Sequence, residues 1–190
     1  PLLPEPVVPT PMGTCPDLSA SGWVDVRVPG LPARRAHVWR GEGPIHGPVV
    51  FYWYGTNSNT DEAFWGIGPD NFLDILDEGG LIIAFEHDPG AGDFPWHLVM
   101  SEDDDDLRVA DELLGCAEQQ LDVDDERIHA MGFSAGGLHA TQMAFRRSQY
   151  IASVVSYSGG MLFPPGPEDV PAPDNPVHML AFHGGSGDEV

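Results

Sequence analysis

Lysine is absent from this chain. Its eight basic residues are all arginine, set against 30 acidic ones, for a formal net charge of -22. Such a surface repels phosphate backbones and anionic lipid, so nucleic-acid binding and anionic-membrane binding are both disfavoured. A lysine-free acidic surface suits saline surroundings, and a compositional bias of the source genome accounts for it equally well. No apolar run approaches the roughly 18 residues that a membrane span requires. The start at Pro1 lacks the basic, apolar and cleavage-site order of a secretory leader. Cysteine is scarce too: Cys15 and Cys116 fit no zinc spacing. They read either as one disulfide, as in an exported protein, or as two buried thiols.

Proline and glycine, by contrast, are plentiful and unevenly placed. The opening PLLPEPVVPTP is rich in proline and has no periodicity, so residues 1–20 read as an extended tether and residues 21–190 as one domain. Within that domain, GWVDVRVP and RRAHVWR alternate in polarity and flank GLPA, which predicts an antiparallel hairpin. PVVFYWYG and LIIAFEHD are continuous apolar runs, the pattern of strands buried on both faces. A helix is expected over Asn71–Asp77, ahead of Gly79 and Gly80. A longer one follows Asp103–Asp106, with Leu107, Ala110, Leu113, Leu114 and Ala117 at helical period. Those aspartates read as a solvated helix start favoured by the dipole rather than as a metal site. RIHAMGFS, IASVVSYSGG and VHMLAFHGG complete an alternation of strands with helical stretches, so the fold class is α/β with a mostly parallel, doubly wound sheet.

In open α/β sheets, functional groups gather at the carboxyl ends of the strands. Ser134, Thr56 and Asp188 all fall just past such ends. Ser134 sits in HAMGFSAGG with the spacing G-x-S-x-G, after a strand and before a helix. A serine lifted on a sharp strand-to-helix turn needs small neighbours, and this context makes Ser134 the candidate nucleophile. An acyl-transfer site also needs donors for the developing oxyanion. The amide of Ala135 is one, and the turn YGTNSN offers a second at Thr56.

PVVFYWYGTNSN, LDVDDERIHAMGFSAGG and MLAFHGGSGDEV together resemble the secreted α/β-hydrolase esterases related to polyhydroxybutyrate depolymerases and feruloyl esterases. The likeness runs from about Gly22 onward, with Tyr54 standing where those proteins usually carry histidine and one extra residue before the aspartate. It implies an α/β-hydrolase fold, Ser134 as nucleophile, Asp188 as triad acid, and the Thr56 and Ala135 amides as oxyanion hole. Glu189 and Asp174 are the other carboxylates considered for the acid. Trp96 and Tyr54 are expected to contact substrate, with Trp96 as an aromatic wall. The activity implied is hydrolysis of aryl esters or polyesters through an acyl-enzyme, with no metal and no cofactor. A serine peptidase and an inactive binding module on the same fold are the competing readings. The location implied is secreted, periplasmic or anchored at the cell surface.

The triad histidine follows the acid in this fold's chain order. Only Glu189 and Val190 follow Asp188, so all eight histidines precede it. The expectation is therefore that the general base lies outside these residues, supplied by a further C-terminal segment or a second polypeptide that adds the final strand, helix and histidine loop.

Overall fold

The computed structural model describes residues 4–98, 104–160 and 175–185. Its centre is a seven-stranded sheet: β1 (Gly22–Val26), β2 (Arg34–Arg40), β3 (Val49–Trp53), β4 (Leu81–Phe85), β5 (Ile128–Phe133), β6 (Ser153–Tyr157) and β7 (His178–Phe182). The strands lie in the order β1-β2-β4-β3-β5-β6-β7. β1 and β2 form the expected antiparallel hairpin, and β2 joins β4 antiparallel. From β4 through β7 every pairing is parallel.

The apolar runs go where their composition sends them. Every residue of β3 and of β4 is buried, since helices cover both faces of a parallel sheet. Phe51, Trp53 and Phe85 stack there, Trp53 against Phe85 at 4.8 Å. Among the described residues, four helices connect the strands: α1 (Glu62–Ile67), α2 (Pro69–Asp77), α3 (Asp105–Gln120) and α4 (Ala135–Arg146). Helix α2 begins earlier than its apolar pattern indicates, because Pro69 occupies its first turn, where a missing N–H costs nothing. The short α1 was not legible at all; its single apolar turn carries no periodic signal.

β3 is followed by β4 on one side, and the chain then crosses to place β5 on the other side of β3. The winding therefore reverses between β3 and β5, which opens a crevice at their carboxyl ends. Thr56 and Ser134 both emerge there.

The proline-rich opening is extended, and it is also fastened down. Cys15 and Cys116 are joined in a disulfide. The Glu112 carboxylate accepts the Met12 and Gly13 amides, both at 2.7 Å, and Val7 N–H donates to the Gln149 carbonyl. Leu18 is buried in the main core. At the opposite edge, all five residues of β7 are exposed, among them Met179, Leu180 and Phe182. Among the described residues, no helix is long and apolar enough to cross a membrane.

Candidate active site

Ser134 joins β5 directly to α4, at φ 52° and ψ -119°. A non-glycine residue there is strained, and such strain persists only where the surroundings over-determine it. Here the surroundings are backbone. The Ser134 amide donates to the Tyr157 carbonyl at 2.8 Å, and the Ser134 carbonyl accepts from Leu138 N–H at 3.0 Å. A Cβ on Gly132 would overlap the Gly136 carbonyl, and one on Gly136 would overlap the Trp53 carbonyl. Both glycines of the motif are thus required by close approach: α4 starts in contact with the end of β3. Gly137 is nearly as confined, its Cβ position lying 2.9 Å from the Tyr157 carbonyl oxygen.

The turn after β3 rests against this elbow. A Cβ built on Gly55 would lie 3.4 Å from Ser134 Cβ. Thr56 and Asn57 are exposed, and Asn57 takes φ 65°, a conformation asparagine tolerates. The amides of Thr56 and Ala135 donate to no acceptor among the described residues. The structure thus brings Ser134, Thr56 and Ala135 to one crevice. Asp188, Glu189 and Asp174 lie outside the described residues.

Tyr54 and Trp96 require a correction. Expected at the substrate surface, they are core residues, 4% and 1% exposed. Their rings pack edge-on at 4.8 Å, and Trp96 Nε1–H donates to the Tyr54 carbonyl at 2.8 Å. The Tyr54 hydroxyl accepts from the His87 amide at 2.7 Å, and burial pushes its pKa up to about 12. The physical reason is that the 86–98 loop folds back beneath the β3 turn, so these two side chains support that turn from inside.

One residue was missed. Glu62, in the first turn of α1, accepts the Gly55 amide and the Tyr52 hydroxyl, both at 3.1 Å, through one carboxylate oxygen. It holds the start of the turn that carries Thr56. Burial, with Glu62 next in weight, raises the Tyr52 pKa far above its ordinary value, so Tyr52 remains a hydrogen-bond donor. The only hint in the sequence is a carboxylate a few positions after YGTNSN.

Beside Ser134, α4 carries His139, fully buried against the Trp53 ring at 4.2 Å. Burial drives its pKa down to about 4, so it is neutral. Its Nδ1 meets the His97 carbonyl at 3.1 Å, which fixes it as the N–H donor. His129 pairs with Ser153 Oγ, His46 with Asp122, and His37 stacks on Trp23. Among the described residues, no histidine hydrogen-bonds to Ser134.

Further along the same end of the sheet is a buried charge network. The Arg34 guanidinium contacts Asp88 at 2.6 Å, Asp106 at 2.9 Å and the Glu86 carbonyl at 2.8 Å. Burial works to raise the Asp88 pKa, but the Gly90 amide, the Arg34 guanidinium and the neighbouring His97 side chain outweigh it and hold the carboxyl below its usual range.

This fold is that of an α/β-hydrolase. A structure of native sOPH superposes with a TM-score of 0.64 at 18% identity, over 85% of this chain and 57% of that one. A thermostable esterase matches at TM-score 0.60 and 12% identity, over 89% of this chain and 56% of the other. The S-formylglutathione hydrolase FrmB of Staphylococcus aureus matches at 0.55 and 14%, covering 74% and 57%. In sequence, a putative esterase, NocK, of Nocardia uniformis subsp. tsuyamanensis is 34% identical over 76 residues, 40% of this chain and 20% of that protein. No protein-family model matches. The chain therefore spans a fifth of that relative and a little over half of these α/β-hydrolase structures.

Proposed function

We propose that this chain carries the nucleophile and oxyanion hole of a serine carboxylic-ester hydrolase acting through an acyl-enzyme. The observation that carries this reading is the strained Ser134 turn in contact with the β3 turn, beside the Thr56 and Ala135 amides, which have no acceptor among the described residues. Esterases and hydrolases among the structures of similar fold support it, as does the putative esterase NocK. In the reaction, a base takes the Ser134 hydroxyl proton and Oγ attacks the ester carbonyl. The oxyanion forms against the Thr56 and Ala135 amides, the alcohol leaves with the proton, and water releases the acid. Neither a metal nor a cofactor enters these steps.

Asp188 is the proposed acid, and the base is proposed to come from a further segment or a second polypeptide. No described histidine engages Ser134, and the solved relatives are longer chains. Aryl esters or polyesters of the feruloyl esterase or depolymerase type are the proposed substrates. The Cys15–Cys116 bridge favours an oxidising location outside the cytosol: secreted, periplasmic or surface-anchored.

The test is intact mass before and after a fluorophosphonate probe, with Ser134→Ala as control. A mass above 20.5 kDa with one adduct that Ser134→Ala abolishes is the expected result for a continuing polypeptide. A mass of 20.5 kDa that labels only when a second polypeptide is added would locate the base there. A complete polypeptide that never labels would overturn the esterase reading and favour a binding module.

A further inference from the structure

Three side chains at the carboxyl end of β4 converge without any part in the ester chemistry. Asp88 follows β4, His97 ends the loop beneath the β3 turn, and Asp105 opens α3. Each offers one ligand atom, and the three atoms lie within 4.8 Å of one another. His97 Nε2 stands 3.4 Å from Asp88 Oδ2, with both side chains about nine-tenths buried. A tetrahedral zinc ion with bonds of about 2.1 Å has ligand-to-ligand edges of about 3.4 Å. The 3.4 Å between His97 Nε2 and Asp88 Oδ2 matches such an edge, so the two atoms can share one metal without moving apart.

The backbone that carries the His97 ring is held on both sides. The His97 amide donates to Asp106 at 2.6 Å, and its carbonyl receives His139 Nδ1 at 3.1 Å and Gln142 Nε2 at 3.0 Å. Both sides of the His97 backbone are thus fixed, and Nε2 is directed at Asp88. Asp88 is fixed in turn, by Arg34 on Oδ2 and by the Gly90 amide on Oδ1 at 2.7 Å. A carboxylate oxygen has two lone pairs, so Oδ2 can keep Arg34 and bind a cation with the other. Asp105 makes a long ion pair with Arg108 at 3.4 Å. Arg34 and Arg108 oppose a cation, and Asp88, Asp105 and Asp106 favour it.

We propose that Asp88, His97 and Asp105 form a binding site for one divalent transition-metal ion of the zinc type. One imidazole nitrogen and two carboxylate oxygens leave a fourth position for water. The bound ion would clip the 86–98 loop to the first turn of α3. This site is independent of the esterase reading, because none of its ligands touches Ser134 or Thr56.

The test uses tag-free, chelator-treated protein in high salt, which screens loose association with the acidic surface. Cobalt is titrated alone, read by its visible absorption, and zinc is titrated calorimetrically. Both cysteines are bridged, so thiolate does not contribute. The expected result is one equivalent with the intense spectrum of four-coordinate Co2+, weakened at least tenfold by His97→Gln and by Asp105→Asn. His46→Gln, which alters the exposed His46–Asp122 pair at 2.7 Å, should leave it unchanged. Should His97→Gln fail to fold, Asp105→Asn at the partly exposed helix start decides. No saturable binding, equal binding by Asp105→Asn, or an equal loss in His46→Gln would each overturn the proposal.

Discussion

Two regions at the same end of the sheet are held in place by opposite means. The Ser134 elbow is fixed by backbone and by side chains that are missing: Gly132 and Gly136 permit main-chain contact that any Cβ would prevent. The loop after β4 is fixed by charged side chains, with Arg34 buried between Asp88 and Asp106. The first arrangement fails when an atom is added, the second when one is removed. Steric specification tolerates pH and salt, whereas electrostatic specification depends on the charge of each member.

That contrast can be broken most sharply at Gly136. Gly136→Ala drives a Cβ into the Trp53 carbonyl, and we expect a loss exceeding about 4 kcal/mol or no folding. Chemical denaturation checks it; a variant as stable as the parent would mean that α4 can move off β3. Next in size is Arg34→Met, which leaves two buried carboxylates without their partner and should cost about 3–5 kcal/mol. Adding Asp88→Asn and Asp106→Asn to it should recover much of that loss. A triple variant no better than the single one would show that the guanidinium acts by packing.

The pH dependence sharpens the comparison further. His139 titrates near 4 in the folded chain against 6.5 ordinarily, so the unfolded chain binds its proton first as pH falls. Stability is therefore full above about pH 6.5 and declines toward pH 4, by about 3 kcal/mol from this residue. The depressed Asp88 adds to the decline at the acid end, since its carboxylate is stabilised only in the folded state. Thermal melts of His139→Gln between pH 4 and 6.5 should lose most of that slope; an unchanged slope would assign it elsewhere. The smallest effect is a gain: Ser134→Gly relieves φ 52° and should stabilise by about 1 kcal/mol. A loss on that substitution would mean the turn is unstrained.

The same contrast explains what the sequence disclosed. The elbow was legible because its determinants are local: two glycines around one serine, a strand before and a helix after. β3 and β4 were legible as unbroken apolar runs. The charge network was not, because Arg34 meets partners 54 and 72 positions away, and no periodicity connects them. Trp96 and Tyr54 were misread for a related reason. An aromatic residue near a candidate site has the same signature whether it faces substrate or supports the turn from behind. Glu62 escaped notice because a single carboxylate in an acidic chain does not stand out.

The strap that crosses α3 has one further consequence. Cys15 and Cys116 are 101 positions apart, so the bridge closes a ring that contains both strands of the hairpin, β3, β4 and the 86–98 loop. A single protease cut within that loop, where Pro89, Gly90 and Phe94 are exposed, would not release a fragment. The nicked protein would migrate as one species until reductant was added, and only then separate into two.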